Sequence, residues 1–346
     1  MISDDSTMLT AVCCDSSGRL CRAYGDGEVI IAADPNSSNV LKIKHREIAV
    51  ALCFASSLDH DVLFIAFRNG DVFCFNMTLS ENHRIELLPN HLSDEEQTKN
   101  DHHIVIDSTS MSARFNEFTR TFHCVVGFYT GHVALLVVSL DPTFKYSIKP
   151  LTPSVLPLPT NTTVTSIATH VINSQTICCC TWSDGTVALT LLGSSVPFFK
   201  FSQEGIPLNA LIIPTFTSLG SRPLLIVSST KGLVALSLST SSGSTSFHLN
   251  CSCRIDSSDD PFIRIYHPEN NVNRIILGSQ SGKLHSTTFS LSKKGTRVAL
   301  SEPLLLSDQE LPGFPVGIVV DCNDNVSAFD SQNYSISCDF GEEIID

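Results

Sequence analysis

The sequence predicts an all-β chain folded as a single closed β-propeller, with seven four-stranded blades. Three observations lead there. A short phrase, a glycine turn followed by a β-rich run, recurs through the whole chain; apolar runs flank it on both sides; and helical periodicity is nowhere sustained for three turns. Each phrase has hairpin chemistry, because Gly, and less readily Asn or Asp, takes the positive φ that tight hairpin turns demand. Near-continuous apolar runs suit strands covered on both faces, as blades are between their neighbours.

The elements follow in order. The first blade, approximately residues 7–44, turns at Asp26-Gly27-Glu28-Val29. In the second, 45–88, Val62-Leu63-Phe64-Ile65-Ala66-Phe67 leads into Asn69-Gly70-Asp71-Val72 and on to Phe73-Cys74-Phe75. The third, 103–149, turns at Thr130-Gly131-His132-Val133, and the fourth, 163–203, at Asp184-Gly185-Thr186-Val187. In the fifth, 206–250, Leu224-Leu225-Ile226-Val227 precedes Lys231-Gly232-Leu233-Val234. The sixth, 260–301, turns at Ser281-Gly282-Lys283-Leu284, and the seventh, 303–338, at Asn323-Asp324-Asn325-Val326, with Asp in the glycine slot. Slots at 27, 70, 131, 185, 232, 282 and 324 lie 42 to 61 residues apart. The shortest steps match the ~40–45 residues of a four-stranded blade. A third strand is expected just after each slot, and Thr7–Cys14 either opens the first blade or completes the seventh. Insertions account for the longer steps: an acidic, histidine-containing loop at 89–102, a loop at 150–162 punctuated by Pro150, Pro153, Pro157 and Pro159, and a polar stretch from Ser237 to Ser246. The acidic tail, 341–346, is expected to fray.

The most regular repeat runs from Lys44-His45-Arg46-Glu47 through Val62–Phe67 to Phe75-Asn76. On these residues the chain resembles the WD-repeat β-propeller family in degenerate form. In that comparison His45 fills the inter-blade His slot, Asn69 replaces the turn Asp, and Phe75-Asn76 replaces the terminal Trp-Asp pair. Asp184 keeps the turn Asp, while Phe329-Asp330 stands for the terminal pair. The resemblance implies a buried His–Asp hydrogen-bond network in few blades. It also implies that loops joining the fourth strand of one blade to the first of the next emerge on the face of the central turns, where partners often bind. The insertions at 89–102 and 150–162 are such loops.

Composition narrows the partners. With 35 acidic against 22 basic residues the formal net charge is −13, which opposes nucleic-acid phosphate. Residues Met1–Leu9 lack the basic start and apolar core of a secretory signal, and no apolar run approaches the ~20 residues of a membrane span. No membrane insertion and a cytoplasmic location are therefore expected, with the nucleus also open. In a reducing compartment the 13 cysteines, including Cys13, Cys14, Cys53, Cys74, Cys124 and Cys178, read as small buried hydrophobes.

Candidate chemistry is weak. His83, His91, His102 and His103 with Asp94 and Glu95 have irregular spacing and no accompanying cysteine pair, so a solvated loop is favoured over a metal site. Strand alternation sends Cys178 and Cys180 to one face and Cys179 to the other, which prevents joint ligation. There is no Gly-x-Ser-x-Gly elbow and no phosphate-binding loop. Trp182, the single tryptophan, reads as a buried blade residue. No catalytic residue, metal or cofactor is expected. The expected function is a non-catalytic protein-interaction scaffold within a multiprotein complex. A supporting subunit of an RNA- or protein-modifying enzyme and a hydrolase with a central-channel site are the alternatives. Candidate partner-binding residues are Asp94, Glu95 and Glu96, whose charge suits protein partners with a basic surface, and Pro157 and Pro159.

Overall fold

The computed structural model describes residues 8–338 apart from 16, 33–39, 88–106, 142, 152–161, 173, 193–198, 218–219, 241–246, 269–272 and 321–324. They form a seven-bladed β-propeller without helices. The first sheet is β1 (Leu9–Cys14), β2 (Leu20–Tyr24), β3 (Glu28–Ala32) and β4 (Val40–Lys44). The second is β5 (Ala49–Ser56), β6 (Asp61–Phe67), β7 (Asp71–Asn76) and β8 (Glu81–Glu86), and the third β9 (Ser108–Asn116), β10 (Thr121–Phe128), β11 (Val133–Ser139) and β12 (Lys145–Pro150). The fourth comprises β13 (Val164–Ile172), β14 (Gln175–Trp182), β15 (Thr186–Leu191) and β16 (Phe199–Ser202); the fifth, β17 (Pro207–Thr217), β18 (Gly220–Ser229), β19 (Gly232–Thr240) and β20 (Phe247–Asp256). In the sixth, β21 (Phe262–Tyr266), β22 (Arg274–Ser279) and β23 (Leu284–Leu291) pair in order. Their outer strand is split into β24 (Val298–Leu300) and β25 (Leu304–Leu305), both on β23, which places Leu304 and Leu305 in the sixth sheet. The seventh has β26 (Pro315–Val320), β27 (Val326–Asp330) and β28 (Ser335–Cys338) among the described residues.

Six of the glycine phrases are the turns between second and third strands, each with a positive φ. Gly27 shows why glycine is needed: at φ +80°, a Cβ there would lie 2.1 Å from the carbonyl oxygen of His45. The same contact stitches the turn to the incoming loop, since His45 N–H donates to Gly27 O at 3.0 Å.

The seventh slot corrects the sequence reading. Asn325-Val326 leads into β27, the second strand of its sheet. The turn equivalent to Gly27 is Asp330–Tyr334, where Asn333 has φ +64° and donates its N–H to Asp330 O. Phe329-Asp330 consequently closes the second strand and does not fill a terminal Trp-Asp slot. Asp330 is fully buried and accepts from the N–H groups of Gln332, Tyr334 and Gly313, so a carboxylate holds a turn that elsewhere relies on glycine.

The core lies between blades, and strand alternation divides each strand between two neighbours. In β6, Val62, Phe64 and Ala66 pack with Met111, Phe122 and Cys124 of the third sheet. Leu63, Ile65 and Phe67 pack with Cys21, Val29 and Ile31 of the first. Cys178 and Cys180 likewise face a different cluster from Cys179. Full burial of such a side chain stabilises by roughly 1.5–3 kcal/mol.

Each innermost strand enters through a β-bulge at its second residue. The residues just past the bulge, Ala11, Ala51, Ser110, Ser166, Asn209, Arg264 and Gly317, are therefore equivalent around the axis. Side chains here staple neighbouring blades. Thr10 donates to Ala49 O (2.6 Å) and Thr109 to Val164 O (2.7 Å), while Ser110 and Ser166 accept the N–H groups of Ile167 and Ala210. β1 belongs to the first sheet, and among the described residues no strand is shared across the seam between the first and seventh sheets. Leu9 N–H donates to Ser331 O at 2.8 Å, and Leu9, Leu20, Val319 and Phe329 form a small cluster across the seam.

Candidate docking face

Antiparallel order sends the turns between second and third strands, and the loops between blades, to one face of the disc. Main-chain hydrogen bonds tie the turns of this face to the loops that follow them. Gly185 O accepts Gln203 N–H, Gly70 O accepts Leu87 N–H, and Gly282 O accepts Leu311 N–H, repeating the bond seen at Gly27.

One His–Asp network is built into it. Asp71, one residue past the glycine slot, is 1% exposed and accepts from Asn69 Nδ2 (2.9 Å) and the Arg84 guanidinium (3.0 and 3.1 Å). His45 Nε2 lies 3.2 Å from Asp71 Oδ2, and its Nδ1 accepts the N–H of Glu47. That bond places the ring proton on Nε2, directed at Asp71. Phe67 and Phe73 pack on the imidazole at 4.0 and 5.3 Å. Asn69 takes the turn position while Asp71 does the holding, a division that a glycine-centred reading misses.

Further round, Asp256, Ser257, Ser258, Asp259, Asp260, Phe262 and His285 line a cavity of about 370 Å³. It sits where the loop from β20 to β21 meets the turn before β23. Hydrogen bonds from Ser258 hold Asp256 below the usual carboxylate range. Burial works to raise Asp260, but hydrogen bonds from Ser281 and Ser279 outweigh it and the net direction is down. Burial pushes His285 down, against the pull of Asp260. Asp256 and Asp260, both held low, stay ionised near neutral pH, and Asp256 and Asp259 are exposed. The run Asp256-Ser257-Ser258-Asp259-Asp260 was visible in the sequence, but nothing there brought His285 and Phe262 beside it. Exposed apolar side chains on the same face are Met8, Tyr129, Ile206, Phe314 and Tyr334. Phe314 and Tyr334 both lie near the ring seam, where Ser331 N–H donates to Phe314 O and Asp330 N–H to Tyr334 O.

The opposite face carries its own patch. Leu58 is 99% and Phe118 79% exposed, in the first loops of the second and third sheets, and Arg120 reaches Asp59 at 3.8 Å between them. Leu79 is exposed nearby in the second sheet.

Asp94, Glu95, Glu96, Pro157 and Pro159 lie outside the described residues, as do His91, His102 and His103. His83 stacks on Phe144 at 3.8 Å. Among the described residues no three His, Cys, Asp or Glu side chains converge as a metal ion would need, and no helix is long and apolar enough to cross a membrane. Trp182 is buried, its Nε1 donating to Gly131 O at 2.9 Å. Burial drives the thiols of Cys53, Cys124 and Cys179 upward and that of Cys74 to about 12. Cys13, Cys14 and Cys53 are only partly covered by the fold, unlike Cys21, Cys74 and Cys124.

No family model matches the sequence, and no curated protein matches it. Solved structures do. The β-propeller domain of Cps50 (Swd1) from Myceliophteria thermophila superposes with a TM-score of 0.62 at 12% identity, covering 95% of this chain and 96% of that one. A chain of the mitotic checkpoint complex gives 0.62 at 10% identity, covering 98% and 91%. BBS1N, in a complex with ARL6DN, gives 0.59 at 13% identity, covering 97% and 93%. At these identities the likeness is one of fold, to β-propellers of the WD40 type.

Proposed function

We propose that this propeller is a non-catalytic protein-interaction scaffold that presents its loop face to partners within a multiprotein complex. The observation that carries the reading is the acidic cavity of Asp256, Asp259 and Asp260, rigidly framed beside stitched turns on a face that also exposes Phe314 and Tyr334. Binding residues concentrate in loops held by a rigid scaffold, and aromatic side chains anchor interfaces. Two of the compared propellers were solved within protein complexes, which supports a similar use here. The partner surface is basic, with electrostatics acting mainly on association rate and specificity. We assign Asp94, Glu95, Glu96, Pro157 and Pro159 to this docking surface, because their segments join strands that end on the loop face. The same docking would serve a supporting subunit of a modifying enzyme, and the identity of the partner separates the two roles.

A second reading is favoured by Leu58 and Phe118: the partner sits on the opposite face. Pull-downs from native extract with three folded variants decide between them. Reversal of Asp94, Glu95 and Glu96 to Lys, or of Asp256 and Asp259 to Lys, should reduce recovery of partners, and the pair Leu58→Asp and Phe118→Asp should not. The opposite pattern would move the binding face to the other side of the disc.

A further inference from the structure

The axial channel inverts the charge pattern of the molecule. It encloses about 260 Å³ between the seven innermost strands, and its lining includes Arg264 but no carboxylate. The chain as a whole carries a net charge of −13. At the ring position just past the bulge, Ser110 and Ser166 are spent on the neighbouring blade. Arg264 is spent in part: Nε donates to Val316 O at 2.7 Å and Nη1 to Ile263 O at 3.0 Å, both main-chain acceptors. Nη2 has no protein partner among the described residues, and neither has the carboxamide of Asn209 at the equivalent position one blade before. Burial pushes the Arg264 guanidinium down, the mark of a cation that lacks a counter-charge. Guanidinium does not lose its proton at accessible pH, so burial cannot be relieved by neutralisation. Arg264 is only partly covered, so its unpartnered end opens to the channel, where an opposite charge can take the place of water.

We propose that the channel holds an oxyanion, bound between Nη2 of Arg264 and the carboxamide of Asn209. A volume of about 260 Å³ corresponds to roughly eight waters, room for a phosphate or a carboxylate with its remaining hydration and below the roughly 300–1,000 Å³ of drug-sized pockets. Two neighbouring donors, one charged, suit an acceptor-only ligand. The oxyanion comes either from a free ion or from a carboxylate that a partner inserts along the axis.

Calorimetric titration of the whole chain with sodium phosphate and with sodium acetate, in chloride buffer of matched ionic strength, tests this. Saturable one-to-one binding is expected. Arg264→Ser should weaken it at least about tenfold and Asn209→Ala about threefold. Ser and Ala already occupy this ring position in other blades, so both variants suit the fold. Arg264→Lys should fall between wild type and Arg264→Ser. If acetate competes with phosphate, the site takes carboxylates and a partner source is supported; if phosphate binds alone, a free tetrahedral ion is. Absence of saturable binding for both anions in the wild type overturns the proposal. So does undiminished binding in Arg264→Ser or, should that variant not fold, in both Asn209→Ala and Arg264→Lys.

Discussion

Asp71 and Gly70 divide between them a task that a regular repeat gives to the turn itself. The glycine supplies the φ of +86° that the chain reversal needs, and the carboxylate beyond it collects His45, Asn69 and Arg84. Removing a buried acceptor leaves its donors unpaired, so Asp71→Ala should lower stability by about 2–3 kcal/mol in urea unfolding, and Asp71→Asn by less. A loss below about 0.5 kcal/mol would show that the network is ornamental. The alternation of Cys178, Cys179 and Cys180 was legible in the sequence because period-two geometry depends on nothing distant. The role of Asp71 was not, because its partners come from three separate segments and the sequence offered Asn69 as the nearer candidate. Thiols held up by burial react slowly, and Cys74, Cys124 and Cys179 should resist an alkylating reagent in the native protein while labelling fully in denaturant. Peptide mapping by mass spectrometry checks this site by site.

At the scale of the blade, short-range hairpin chemistry made six turns readable, and the seventh failed for a physical reason. A buried Asp330 accepting three N–H groups organises that turn as glycine does elsewhere, and Asn333 tolerates the left-handed backbone. The glycine-like Asn323-Asp324-Asn325 phrase instead precedes the second strand, one connection earlier. Inter-blade staples were equally hidden, since a serine on an innermost strand looks like any polar residue until its neighbour's N–H is placed against it. Ser166→Ala should cost about 1–2 kcal/mol by leaving the Ala210 N–H without its acceptor. Hydrogen exchange at Ala210 should accelerate more than exchange at Ala188, within the fourth sheet. Equal acceleration would mean that the blade loosens as a unit and that the staple is not local.

The whole molecule answers to pH through its histidines. Burial lowers His123, His132 and His285, and lowers His170 to about 4 with Arg114 and His267 adding to the effect. In the unfolded chain these groups take up protons near pH 6.5, before the folded protein does, so stability is full above pH 6.5 and falls as pH drops toward 4. His170 alone accounts for roughly 3 kcal/mol of that fall. Urea unfolding at pH 7.5, 6 and 5 should trace it, and His170→Gln should flatten the slope; a slope unchanged by that substitution would assign the effect elsewhere. The architecture and the face that carries the inter-blade loops were readable from repeats, whereas the channel and the cavity of Asp256, Asp260, Phe262 and His285 were not, because they join residues from separate segments. The ring seam sets how such a disc yields. Among the described residues no strand is shared across it, so the closure between Leu9 and Ser331 is like the gap in a split washer, its lips touching through a main-chain hydrogen bond and a small apolar cluster. A partner that spans the seam at Phe314 and Tyr334 would therefore clamp the washer shut, adding stiffness to the whole disc from one point on its rim.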